Sequence, residues 1–264
     1  MKVRPLSGLS RPASVLLLVY AGVSVVCTLA GVGQIVEYWT VWPSAGELGT
    51  TMLISDTVFA TLALPQLGLW LASFVLLLMW IHRANKNLAT LTGASIGFSP
   101  AWAVWCFFVP FLNLLMPYQA VREIWQVSHK GDVTGLRLVM WWWALFLVSR
   151  IIDMVAGRAS VYAQDTGGYI AIAGASAVAS AVVAAASLVG AAMIRRVTAA
   201  YSANYDEAAA SAAPSGWYSD PSGRHQLRFW TGTAWHAAVA DGGAVSHDPL
   251  IAPTTLSSVT SAAE

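Results

Sequence analysis

Apolar residues in this chain gather into long runs separated by polar breaks, and the first run extends from Ser14 to Val36 behind Lys2, Arg4 and Arg11. A helix of about 23 residues, rising 1.5 Å per residue, crosses ~30 Å of hydrocarbon. A cleavable leader also starts basic, but its apolar region is only about 7–15 residues long. The run therefore reads as an uncleaved anchor. A polar stretch from Glu37 to Thr61 follows, with neither Lys nor Arg. The second run, Leu62 to His82, holds Pro65 in its first turn, where a missing N–H costs little, and closes at Arg83 and Lys86. Leu138 to Ala156 opens with Trp141-Trp142-Trp143, which the pattern sets at a membrane boundary. Tyr169 to Ile194 is the last run, closed by Arg195-Arg196. Ala173, Ala177, Ala181 and Ala185 recur along it every four residues. Small residues so placed let two helix backbones approach closely, within one chain or in a homo-oligomer.

One further run is ambiguous. Ala101 to Val121 has no charge and is long enough to span, but Pro110 and Pro117 interrupt it with Asn113 between them. Each interior proline removes a donor and blocks regular helix. In lipid, such a break survives only where protein or trapped water satisfies the freed carbonyls. Ser99-Pro100 reads as an N-cap followed by proline at the first helical position. From Val121 the pattern turns amphipathic. Val121, Ile124, Trp125 and Ser128 share one face, and Arg122, Glu123, Gln126, His129 and Lys130 the other, up to a stop at Gly131. This predicts a helix along the membrane surface.

Charge placement arbitrates between four and five crossings. With residues 101–121 spanning, six cations lie inside and seven outside, which is no bias. With that segment returning to its own side, twelve lie inside and only Arg158 outside, Arg150 being intramembrane. The expectation is an all-α polytopic membrane protein with four transmembrane helices, about 14–36, 62–82, 138–156 and 169–194, within residues 1–200. A Pro-broken re-entrant or interfacial segment, 101–121, joins the second and third, and both termini are cytoplasmic. The alternative is five transmembrane helices.

Composition agrees. Charged residues are 10% of the 264, hydrophobic ones 57%, and net charge is +1; mean hydropathy is +0.61. A soluble domain carries roughly 25% charged residues, so this chain cannot coat a water-facing globule. Disorder is excluded by the apolar mass. Two cysteines, Cys27 and Cys106, both in apolar runs, exclude a disulfide scaffold.

Candidate chemistry is sparse. Arg150 and Asp153 stand three apart on the third span, where their side chains meet. Intramembrane charges raise a functional question by default, and the readings are a self-neutralising pair or a gate. Asn113 either lines a small polar cavity or coordinates an ion with neighbouring freed carbonyls, or it only satisfies the broken backbone. His82 and His129 are isolated beside cations, without metal-ligand spacing. The sequence holds no phosphate-binding glycine loop, nucleophile elbow or paired carboxylates. No cofactor, metal, catalytic residue or nucleic-acid partner is expected. The scattered basic residues need no partner beyond anionic headgroups of the bilayer.

One compact motif lies outside the membrane, residues 214–242, after a helix extension fading into a linker at 201–213. Turn signals at Asp220-Pro221-Ser222-Gly223 and Thr231-Gly232 divide it into three short strands. Trp217, Trp230 and Trp235 are candidates for its core. With Tyr218, Asp220, Pro221 and Arg228 they also form a candidate docking module for a peptide or protein partner. Residues 243–264 read as a disordered tail.

Trp80-Ile81-His82-Arg83, Ser99-Pro100-Ala101-Trp102-Ala103-Val104-Trp105, Phe108-Val109-Pro110, Asn113, Pro117-Tyr118, Arg122-Glu123-Ile124-Trp125 and Trp142-Trp143 together resemble an actinobacterial membrane family, domain of unknown function 4328, over about residues 15–200. Gly216 to Pro221, Arg228 to Trp230 and Gly232 to Trp235 resemble a second module, domain of unknown function 2510. That module usually has an acid where Thr231 stands and Thr where His236 stands. Neither family brings an activity. The resemblance implies a plasma-membrane protein with a cytoplasmic Trp-rich module. The functional expectation is a non-enzymatic scaffold presenting that module, with a small transporter or channel as the alternative.

Overall fold

The computed structural model describes residues 5–40, 54–92, 97–211 and 214–249. Helices α1 (Ser7–Thr40), α2 (Ile54–Thr92), α5 (Leu136–Ala159) and α6 (Thr166–Ser211) are long and apolar enough to cross a membrane. Between α2 and α5 lie α3 (Trp102–Trp105), a 3-10 turn (Leu112–Leu114) and α4 (Met116–Ser128). The chain divides into a helical unit ending at Tyr205 and a C-terminal unit.

All four expected spans fall inside longer helices. α2 begins at Ile54, so Pro65 lies well inside it rather than in its first turn. Its start is fixed by α1: Glu37 Oε2 accepts from Ser55 N at 3.3 Å and Ser55 Oγ at 2.5 Å, and Gln34 donates to Asp56 at 2.8 Å. The carboxylate satisfies an orphan donor and suits the positive helix end. Residues 37–40 and 54–61 of the Glu37–Thr61 stretch, read as a polar connection, are therefore helical; residues 41–53 of it lie outside the described residues. α6 likewise continues to Ser211, so the expected 201–213 linker is helix as far as it is described. Ala-rich sequence with no Gly or Pro between Gly190 and Pro214 sustains it.

Residues 101–121 do not form one helix. Ser99 Oγ accepts from Trp102 N at 3.2 Å, capping the first turn. Between the two prolines Phe111 takes φ 64°, a conformation bulky residues rarely adopt. The indole N–H of Trp143 donates to Leu114 O at 2.8 Å, so α5 satisfies a carbonyl at the break. α4 buries the face read as apolar (Val121, Ile124, Trp125, Ser128), with Val121, Ile124 and Trp125 packed in the bundle core. Asn204 Nδ2 donates to Ser128 O at 2.7 Å, and Gly131 N to Gln126 O, ending that helix.

Trp80, Ile81, Ile124, Trp125, Ile194 and Val197 are the heart of the core, with Trp80 Nε1 donating to Thr198 Oγ1 at 3.2 Å. The three indoles of the Trp triplet differ in burial. Trp142 and Trp143 are buried in the core, while Trp141 is exposed. Successive helical residues point about 100° apart, so the three indoles do not all face the bundle core. Trp143→Phe keeps the ring but removes the donor to Leu114, at an expected cost of roughly 1–2 kcal/mol. Thermal unfolding in detergent, read by a thiol dye on the buried, free Cys27 and Cys106, checks it.

The C-terminal unit is an antiparallel sheet of four strands, β1 (Gly216–Ser219), β2 (Leu227–Trp230), β3 (Trp235–Asp241) and β4 (Ala244–His247), in that order. β4 corrects both the three-strand expectation and the start of the disordered tail at 243. Gly242 (φ 56°) and Gly243 (φ 87°) sit between the paired Asp241 and Ala244. Two consecutive positive φ values make the tight turn that matches strand twist, and glycine supplies them without strain. Residues 250–264 of the expected tail lie outside the described residues.

Candidate functional site

The β sheet is organised around an ion network. Asp220 follows β1, and its carboxylate accepts from Ser222 N at 3.1 Å, Ser222 Oγ at 2.6 Å and His225 N at 3.1 Å, shaping the loop to β2. Arg228, in the middle of β2, has a fully buried side chain. Its Nε donates to Asp220 Oδ1 at 2.8 Å, Nη1 to the carbonyls of His236 (3.2 Å) and Asp248 (2.8 Å), and Nη2 to Asp248 Oδ2 at 2.5 Å. A planar guanidinium suits such a bridge, since its fixed fork of donors reaches several acceptors at once. Arg224 adds a second cation to Asp248 at 2.7 Å. At the far end of β3, Asp241 holds His225 Nδ1 at 2.5 Å and Gln226 N at 2.7 Å.

The Arg228 guanidinium holds the Asp220 carboxyl far below the usual carboxylate range, helped by the Ser222 and His225 donors and opposed by burial. Asp241 is lowered too, chiefly by His225 and then by the Gln226 N–H. A folded-state pKa below the unfolded one gives stability that is present above the unfolded value and lost as pH falls through the folded value. The sheet is therefore expected to hold steady down to about pH 4 and weaken below it. Pepsin cleavage within residues 214–249 of the full chain, followed downward from about pH 5, checks this; equal protection near pH 2 contradicts it.

The aromatic residues stand on a single-layer sheet. Trp217 packs edge-on to Phe229, and Phe229 to His236; Tyr218 and Trp230 each pack against Trp235. Trp217 remains 39% exposed, and Trp230 and Trp235 are half-buried. The buried centre is instead Arg228, Asp220, Val239 and Ala240. At the positions that depart from the usual module, Thr231 Oγ1 accepts from Ala234 N at 3.0 Å, the part an acid can play in the same turn, and His236 Nδ1 accepts from Ala238 N at 3.1 Å. Asp248, His225 and Asp241 escaped the sequence reading. The signal that could have found Asp248 was the Gly242-Gly243 turn, which implies a returning strand beyond it.

Within the helical unit, Arg150 Nη2 meets Asp153 Oδ2 at 2.7 Å, with each side chain a little over 40% exposed. Arg150 also lies over the Phe146 ring, 6.0 Å from its centroid, and borders a cavity of about 70 Å³ walled mainly by Trp70, Phe74, Phe107 and Trp143. Ser73 Oγ lines this cavity with no hydrogen-bond partner among the described residues. Asn113 is half-buried at the break and borders neither the cavity nor the ion pair. The structure thus brings Arg150 and Asp153 together and leaves Asn113 apart.

Four apolar helices followed by a small antiparallel sheet define a helical membrane protein with an appended β module. The chain belongs to the family described as domain of unknown function (DUF4328), which matches residues 46–199, and residues 215–248 match protein of unknown function (DUF2510). The first match starts after α1, later than the resemblance read from residue 15. The second reaches through β4, in accord with the fourth strand. No curated protein and no solved structure matches the chain.

Proposed function

We propose that the protein is a non-enzymatic scaffold of the plasma membrane that holds its C-terminal sheet on the cytoplasmic side as a docking module. In this reading the chain crosses four times, both termini are cytoplasmic, and residues 101–121 enter the membrane region and return to the same side. The carrying observation is the division of labour in the sheet. Asp220 and Arg228 bind each other, whereas Trp217 stays exposed beside Phe229 on a sheet that no second layer covers among the described residues of the module. Aromatic residues left so on a small sheet suit a peptide or protein partner. The transporter alternative has less support, since Arg150 and Asp153 neutralise each other and Asn113 stands apart from them.

Truncation after Ser211 is expected to leave membrane insertion intact and abolish cross-linking to a cytoplasmic protein partner, with Trp217→Ala weakening it. A reporter active only outside the cytoplasm stays silent when fused at Gly131. A strong signal there reverses the four-crossing arrangement, and loss of a measured solute flux in Asp153→Ala replaces the scaffold with a transporter.

A further inference from the structure

A groove of about 730 Å³ opens where α2 leaves its apolar run, walled by α2, by α3 and by Leu9 of α1. Its chemistry is two-sided. Leu78, Met79, Val104 and Trp105 make an apolar wall, with Met79 and Trp105 turned outward. One to two helical turns further along α2, Arg83 and Lys86 form a cationic rim. His82 Nδ1 donates to Pro100 O at 3.0 Å and ties α2 to the start of α3, so the two walls are held at a set separation.

Depth follows from the sequence. The uncharged run of α2 ends at His82 and the cations follow at once, so the apolar wall lies at acyl-chain level and the rim at headgroup level. A basic pocket between helices at that depth, continuous with an apolar wall, complements a lipid with a negative headgroup. We propose that this groove binds one anionic glycerophospholipid of the leaflet at which α2 ends, its phosphate between Arg83 and Lys86 and its upper acyl chain against Met79 and Trp105. The proposal does not depend on the docking role of the β sheet or on which side of the membrane the termini lie.

Native mass spectrometry of the full chain in detergent, titrated with phosphatidylglycerol or phosphatidylcholine, tests it. Wild-type protein is expected to retain phosphatidylglycerol over phosphatidylcholine by roughly tenfold or more. Arg83→Gln with Lys86→Gln removes that preference, whereas Arg195→Gln with Arg196→Gln, which lowers charge equally elsewhere, keeps it. Met79→Trp leaves both cations but fills the groove, and loses phosphatidylglycerol retention; this arm stands even if the double glutamine variant fails to fold. Retention unchanged in Met79→Trp, or a preference lost equally in the α6 variant, overturns the proposal. Displacement of the lipid by millimolar inorganic phosphate overturns it too, because the site would then read a free anion.

Discussion

Replacing Arg228 with alanine unfolds the C-terminal sheet of the full chain while the four apolar helices stay inserted. The guanidinium sits fully buried on β2 and bridges Asp220, in the loop after β1, to Asp248, just past β4. Without it, two carboxylates and the carbonyls of His236 and Asp248 lose their shared donor. The sheet has little else to rely on, since a unit this small rarely holds more than roughly 3–5 kcal/mol. Its aromatic pairs lie on partly exposed faces and its apolar centre is little more than Val239 and Ala240. Arg228→Lys does not rescue, because one ammonium cannot span both carboxylates and both carbonyls in the fork geometry. Arg224→Ala is mild by comparison, since that side chain is exposed and its ion pair sits at the rim. Chymotrypsin digestion of the full chain in detergent, which cuts at aromatic residues that every variant keeps, separates the cases: new cleavage within 214–249 for Arg228→Ala and Arg228→Lys, and wild-type protection for Arg224→Ala. Wild-type protection in Arg228→Ala would show that the aromatic pairs, not the ion network, hold the sheet.

How much of this was legible beforehand depended on the range of the signal. The four spans are long, uninterrupted apolar runs, and length with composition suffices to find them. The α4 face was equally plain, since all four residues assigned to it are buried. Contacts that depend on a distant partner were not legible. Glu37 and Asp56 look like ordinary polar connection residues until α1 and α2 meet. Asp248 looks like part of a Ser/Pro-rich tail until Arg228 reaches it. The alanine repeat on α6 illustrates a subtler limit. Ala173 and Ala177 are buried, Ala181 is exposed and Ala185 half-buried. A strict four-residue spacing overshoots the helical repeat by about 40° at each step, so the line drifts off the packed face. The buried face instead continues through Ala184, Ser187 and Ala191.

That packed face sets the second large effect. Gly31→Leu is expected to force α1 away from α6 and destabilise the helical unit by roughly 1–3 kcal/mol or more. A Cβ built on Gly31 would lie 2.8 Å from Ala177 Cβ, 3.2 Å from Ala177 Cα and 3.5 Å from Ala173 O. Two of those atoms are backbone, so no rotamer change on α6 relieves the clash, and the helices must separate. Without a hydrophobic drive between helices in lipid, close van der Waals contact is much of what holds such a pair, and added distance removes it directly. Gly33 lies two residues on along the same helix, and a Cβ there meets nothing within 4 Å. Gly33→Leu therefore adds the same side chain without the clash and serves as the matched control. Cys27, buried one turn before Gly31 with its thiol 3.4 Å from Gln66 Oε1, supplies the readout. On heating in detergent, thiol-dye labelling sets in earlier for Gly31→Leu and at the wild-type temperature for Gly33→Leu. Equal onsets for the two variants would show that the helical unit does not depend on this close approach of α1 to α6.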